Sequence, residues 1–171
     1  MNQFKTVFAV AAGFMVAVGL SSTAVADDQL DRFEEISERG TEVMMEVMVK
    51  EYVARGMDEE AIRGAVPDSA WDEEYREAGQ CMLDGYRDLI GSSGVDDMLD
   101  QMESMFNSVD PETATLESMN AFDNVEATAS VSTEQQMAIT QDCGMVEISM
   151  RRMSESGFMQ IIQTHMMQDS D

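Results

Sequence analysis

Trp71, Tyr75, Ala78, Met82, Tyr86 and Leu89 step along the chain by four, three, four, four and three residues. Only a helix brings positions so spaced onto one face. This stretch therefore commits the chain to helices that bury a stripe against a neighbour, and the flanking sequence has the same grammar. Leu30, Phe33, Val43, Met44, Val47 and Met48 mark a first helix from near Asp28 to about Arg55, with Gly40 weakening its middle and Gly56 as its stop. Asp58 is placed to cap a short helix through Val66, which Pro67 ends. Asp68 or Ser69 then caps the helix that carries the Trp71 stripe, and Gly91-Ser92-Ser93-Gly94 reads as a turn. Met98, Leu99, Met102, Met105 and Phe106 form a further apolar face.

Beyond Asn107 the pattern thins. Asp110-Pro111-Glu112 predicts a short helix with Leu116, Met119 and Phe122 inside, followed by a loop through Val131. Ser132 and Gln135 fit a capping box. The last helix would carry Ile139, Cys143, Val146, Met150 and Met153 on one face, bend near Ser154–Gly157, and resume at Phe158, Ile161, Ile162 and His165. The expected fold is all-α: a small bundle of about five helices.

The first 26 residues read differently. Lys5 supplies a positive start, Val7–Leu20 is an apolar run of 14 residues, and Ala24-Val25-Ala26 is an A-x-A cleavage site before the acidic Asp27. The run is short of the ~20 residues a spanning helix needs. The expectation is a secretory signal peptide over residues 1–26, cut so that Asp27 is the first residue of a single acidic domain, 27–171. The protein would then be secreted or periplasmic, with no stable membrane insertion after cleavage.

Two cysteines occur, Cys81 and Cys143, both downstream of that site. An even, isolated pair in an oxidising compartment is expected to form one structural disulfide pinning the bundle. Their spacing is far from the C-x-x-C of a redox motif.

Charge narrows the partners. Removal of residues 1–26 takes away one lysine and no acid, so the net charge of −24 becomes −25. Such a field repels nucleic acid and anionic lipid. It favours cationic partners, or serves solubility at high ionic strength, which suits a remainder with eight arginines and only one lysine, Lys50.

Methionine is the compositional oddity: downstream of Ala26 there are 16 Met and 5 Leu. Three readings follow. Met44, Met48, Met82, Met98, Met102, Met105, Met150 and Met153 fall on helical stripes and read as core. A flexible methionine surface can also line a groove for varied apolar ligands, with Met119, Met137, Met145, Met159 and Met167 as the surplus positions. Thioethers also suit Cu(I), for which Met44-Met45-x-x-Met48 and His165-Met166-Met167 are the nearest clusters.

Other chemistry finds little footing. His165 is the single histidine and reads as a helix-end residue. Zinc would need three or four N/S ligands. Asp58-Glu59-Glu60, Asp72-Glu73-Glu74 and Asp96-Asp97 lack EF-hand spacing and fall where helices begin. The sequence therefore points to a non-catalytic binding module with no cofactor, engaging another exported protein or an apolar segment. A carrier of Cu(I) or of a small apolar ligand is the second expectation, and a small hydrolase using acidic residues the third.

Overall fold

The computed structural model describes residues 19–115 and 125–168. Among them are six α-helices, one 3-10 turn and no strand: α1 Gly19–Ala54, α2 Glu59–Gly64, α3 Glu73–Ser108, the 3-10 turn Glu126–Thr128, α4 Thr133–Asp142, α5 Met145–Glu155 and α6 Phe158–Gln168. The expected all-α bundle is present, with the disulfide in place.

α1 starts upstream of Asp28 and runs unbroken through Ala24-Val25-Ala26, a segment with no glycine or proline to stop it. Of the side chains described from Val25 on, Val25, Asp27 and Asp28 are exposed, and Gln29 and Leu30 are buried.

α3 is two arms. Gly91 has φ 75° and ψ 169°, a conformation open to glycine and strained for other residues. The arms lie along α1 in opposite senses. In the first, Arg76 pairs with Asp31 and Glu34, and just before it the Trp71 amide donates to Glu38. In the second, Arg32 pairs with Asp100 and the Phe106 ring lies against Gly40. The expected turn at 91–94 is thus a reversal at one residue. Gln29 pins it: its amide nitrogen donates to the Ser92 carbonyl and hydroxyl (both 3.2 Å) and to Asp96 (2.7 Å), while its oxygen accepts from Arg87 at 3.0 Å.

This three-rod assembly makes the first core, Leu30, Phe33 and Ile36 against Leu83, Val95, Met98 and Leu99. A second core lies further along α1, where Met45 and Val49 meet Met57, Ile62 and Ala65 around α2 and Phe158 and Ile162 of α6. Among the described residues α1 is the only helix shared by both.

Several expectations need correction. The first arm is capped by Asp72, whose carboxylate accepts from the Tyr75 amide, and neither Asp68 nor Ser69 caps it; Trp71 therefore precedes the helix. Asp110 organises a single turn through Thr113, not the start of a described helix, and Leu116, Met119 and Phe122 lie outside the described residues. The capping box is present, with Ser132 and Gln135 each accepting from the other's backbone amide. The single last helix is three. Cys143 is the C-cap of α4 and not mid-helix, because Gly144 (φ 73°) breaks the ladder, and Gly157 (φ 83°) breaks it again before α6. With the register reset at each break, Val146 and Met150 point outward, 50% and 47% exposed, and Ile148 becomes the buried residue of α5.

Candidate functional site

The two cores leave a seam. Along it runs a groove of about 440 Å³, a size typical of pockets that enclose a small ligand or several side chains. One wall is α1, with Met44, Met45 and Met48; the other is the first arm of α3, with Met82, and α5, with Met145 and Met153. Phe33, Trp71 and Tyr75 form its aromatic end. Phe33 and Trp71 meet edge-to-face (5.5 Å, 87°), and Trp71 and Tyr75 are tilted at 5.7 Å. Trp71 reaches this position because Gly79 lacks a side chain: a Cβ there would lie 2.3 Å from the indole ring.

The far wall is tied down by polar contacts. Arg152 of α5 pairs with Asp72 at 2.7 Å, donates to the Ala70 carbonyl at 2.7 Å, and lies over the Tyr75 ring with 4.1 Å from guanidinium carbon to ring centre. Ser149 gives its hydroxyl hydrogen to the Met145 carbonyl, so the Tyr75 hydroxyl donates to Ser149 at 3.1 Å. Arg151 pairs with Glu74. The Tyr75 amide, and then Arg152, hold the Asp72 carboxyl below the usual carboxylate range. The disulfide anchors the same unit from behind. Cys81 and Cys143 are bonded at 1.97 Å, and Ile139 packs over Gly85 one turn along α3.

The first methionine cluster falls into the groove, since Met44, Met45 and Met48 all line it. The second does not. His165 donates through Nε2 to the Arg55 carbonyl beyond the end of α1, and Met167 is 68% exposed. Of the surplus positions, Met145 lines the groove, Met137 is exposed, and Met119 lies outside the described residues. Met98 is core, as are Met45 and Met57, whereas Met44, expected in the core, is 43% exposed on the groove. The acidic clusters serve helix starts: Asp58 caps α2 through the Ala61 amide, Asp72 caps α3, and Asp96 holds Gln29. Among the described residues no group of three His, Cys, Asp or Glu side chains is placed to hold a metal ion. Ala26 and Asp27 stand on α1 ahead of the buried Gln29 and Leu30.

Helical spacing on α1 and α3 signalled the groove's walls, but nothing local signalled that α5 would close the other side. Among the described residues no helix is long and apolar enough to cross a membrane. In comparisons with known proteins, no family model, no curated protein and no solved structure matches this chain.

Proposed function

We propose that this chain is an exported, non-catalytic binding protein whose methionine-lined groove receives an apolar segment of another exported protein. One observation carries the reading: six methionines from three helices, with three aromatic rings, line a single groove between two well-packed cores. Unbranched, polarizable side chains adapt to varied apolar surfaces, as a promiscuous binding site requires. Export is supported by the A-x-A pattern ending at Ala26 and by the Cys81–Cys143 bridge. Cleavage after Ala26 goes with this reading: an intact mass beginning at Asp27 in exported material supports the cleavage, and one beginning at Met1 overturns it.

Fluorescence titration of the purified protein with a hydrophobic reporter dye tests the groove. Saturable binding is expected in the wild type and in Met137→Asp, which changes an exposed site on α4, and its loss is expected in Met44→Asp. No saturable binding, or equal binding by the two variants, overturns the proposal.

The same six thioethers favour a second reading, a Cu(I) carrier, since soft sulfur ligands suit that ion. Cu(I) titration against a strong chelator decides it. Binding lost in Met44→Leu or Met48→Leu, with dye binding retained, would replace the first reading by the second.

A further inference from the structure

Three carboxylates border the groove, and among the described residues none of them is in an ion pair. Glu38 accepts from the Trp71 amide at 2.7 Å, Glu42 from the Ser69 hydroxyl at 3.2 Å, and Asp68 from the Ala70 amide at 3.0 Å. All three donors are neutral groups. Of the nearby cations, Arg39 stands exposed beside Glu38 on α1 and makes no ion pair with these carboxylates, and two others are engaged elsewhere. Arg63 is held by Glu46 and Glu59, and Arg152 by Asp72. Asp68 lines the groove itself, and Glu38 and Glu42 reach its lining through the Trp71 amide and the Ser69 hydroxyl, so three carboxylates border it beside one lining guanidinium, Arg152. An apolar ligand without charge would leave that imbalance as it stands. A ligand with cations beside its apolar face would relieve it.

Resting on the binding reading above, we infer that the groove's occupant is a cationic amphipathic segment, its apolar side chains on the methionines and its Lys or Arg side chains against Glu38, Glu42 and Asp68. The occupancy is of the helix-in-groove kind, in which apolar anchors repeat at i, i+3/i+4 and i+7. Glu38 and Glu42 are themselves one helical turn apart on α1, a spacing that cations one turn apart on a bound helix can match.

The test uses three synthetic 18-residue amphipathic peptides with one leucine face and a polar face of Lys, Gln or Glu, titrated calorimetrically into the purified protein. The Leu/Lys peptide is expected to bind at least about tenfold more tightly than Leu/Gln, with Leu/Glu weakest, and added salt should shrink the preference. Glu42→Gln with Asp68→Asn should cut Leu/Lys affinity about three- to tenfold. Asp88→Asn with Asp97→Asn removes the same charge from exposed positions of α3 and should change little. Met44→Asp separates docking from bulk attraction: it adds a negative charge, so a mere field effect would strengthen Leu/Lys binding, whereas groove docking weakens it. Equal affinity for Leu/Lys and Leu/Gln, or equal losses in the two charge-removal variants, overturns the inference while dye binding keeps the groove reading standing. Loss of dye binding in the wild type defeats the groove reading itself.

Discussion

Gly79 presents its bare backbone to the face of Trp71, so close that a Cβ would lie 2.3 Å from Cζ3 and 2.6 Å from Cη2 of the indole. The ring is rigid and braced by Phe33 and Tyr75, so it has little room to yield. Gly79→Ala gains about 1 kcal/mol in helix propensity and meets an overpacking cost of about 1–3 kcal/mol. The expected result is net destabilisation with altered tryptophan fluorescence. Gly64→Ala is the control: a Cβ there meets nothing within 4 Å. It should be neutral or stabilise by up to about 1 kcal/mol. Urea melts of the two variants give the comparison.

Gln29 is 1% exposed and satisfies groups on both sides of the α3 reversal. Gln29→Ala removes the amide that Asp96, Arg87 and the Ser92 carbonyl share, with Arg87 keeping its pair to Asp84, and should cost about 1–3 kcal/mol. Faster amide exchange is expected around residues 90–96 before other parts of the first core. Uniform loss of protection would contradict a local role.

Cys81 and Cys143 close a loop of sequence separation 62. Chain-entropy arithmetic assigns that closure about 4 kcal/mol. Cys81→Ser should lower stability by a few kcal/mol, and reduction of the wild type should have a similar effect, since Cys81 is exposed to reductant. Two alkylatable thiols in the non-reduced protein would contradict the bridge.

Methionines divide by position. Met98 is 3% exposed, so Met98→Ala should cost about 2–5 kcal/mol through lost burial and the cavity left behind. Met44→Ala and Met150→Ala change exposed side chains and should stay within ~0.5 kcal/mol. Only Met44→Ala of these two should weaken dye binding, because Met150 faces away from the groove.

Acid should act in two stages. The net charge of −24 means that protonating unpaired carboxylates first relieves repulsion, so the melting temperature should rise as pH falls from neutrality toward the ordinary carboxylate range. Asp72 and Glu46 behave oppositely. The Tyr75 amide and Arg152 lower the first, and the Arg63 hydrogen bond lowers the second, below their unfolded values. Their contribution is present above the unfolded carboxylate pKa and is lost as pH falls through the depressed folded values. Stability should therefore peak on the acid side of neutrality and drop below the ordinary carboxylate range, as a series of thermal melts would record.

Much of the helix content was legible because it is local. Stripes at three and four, Gly56, Pro67, the Asp58 cap and the Ser132–Gln135 box each act within a turn or two of chain, and each stands in the structure. The cysteine pairing followed from their count and from the export expected of the first 26 residues. Local signals failed at Gly144, which splits a run whose apolar spacing continues across it, whereas the break at Gly157 falls where a bend at Ser154–Gly157 was expected. A reset register turns Val146 and Met150 outward, and periodicity alone cannot detect the reset. The groove lay beyond any local rule. It exists because α1 is long enough to serve two cores, because the reversal at Gly91 folds α3 back along it, and because the disulfide and the Arg152–Asp72 pair set α5 opposite Met44 and Met48. Sequence alone determined that the chain is helical, acidic and rich in methionine. Tertiary structure alone decided which thioethers share a cavity and which carboxylates border it, because both depend on contacts between residues as far apart as Met44 and Met153.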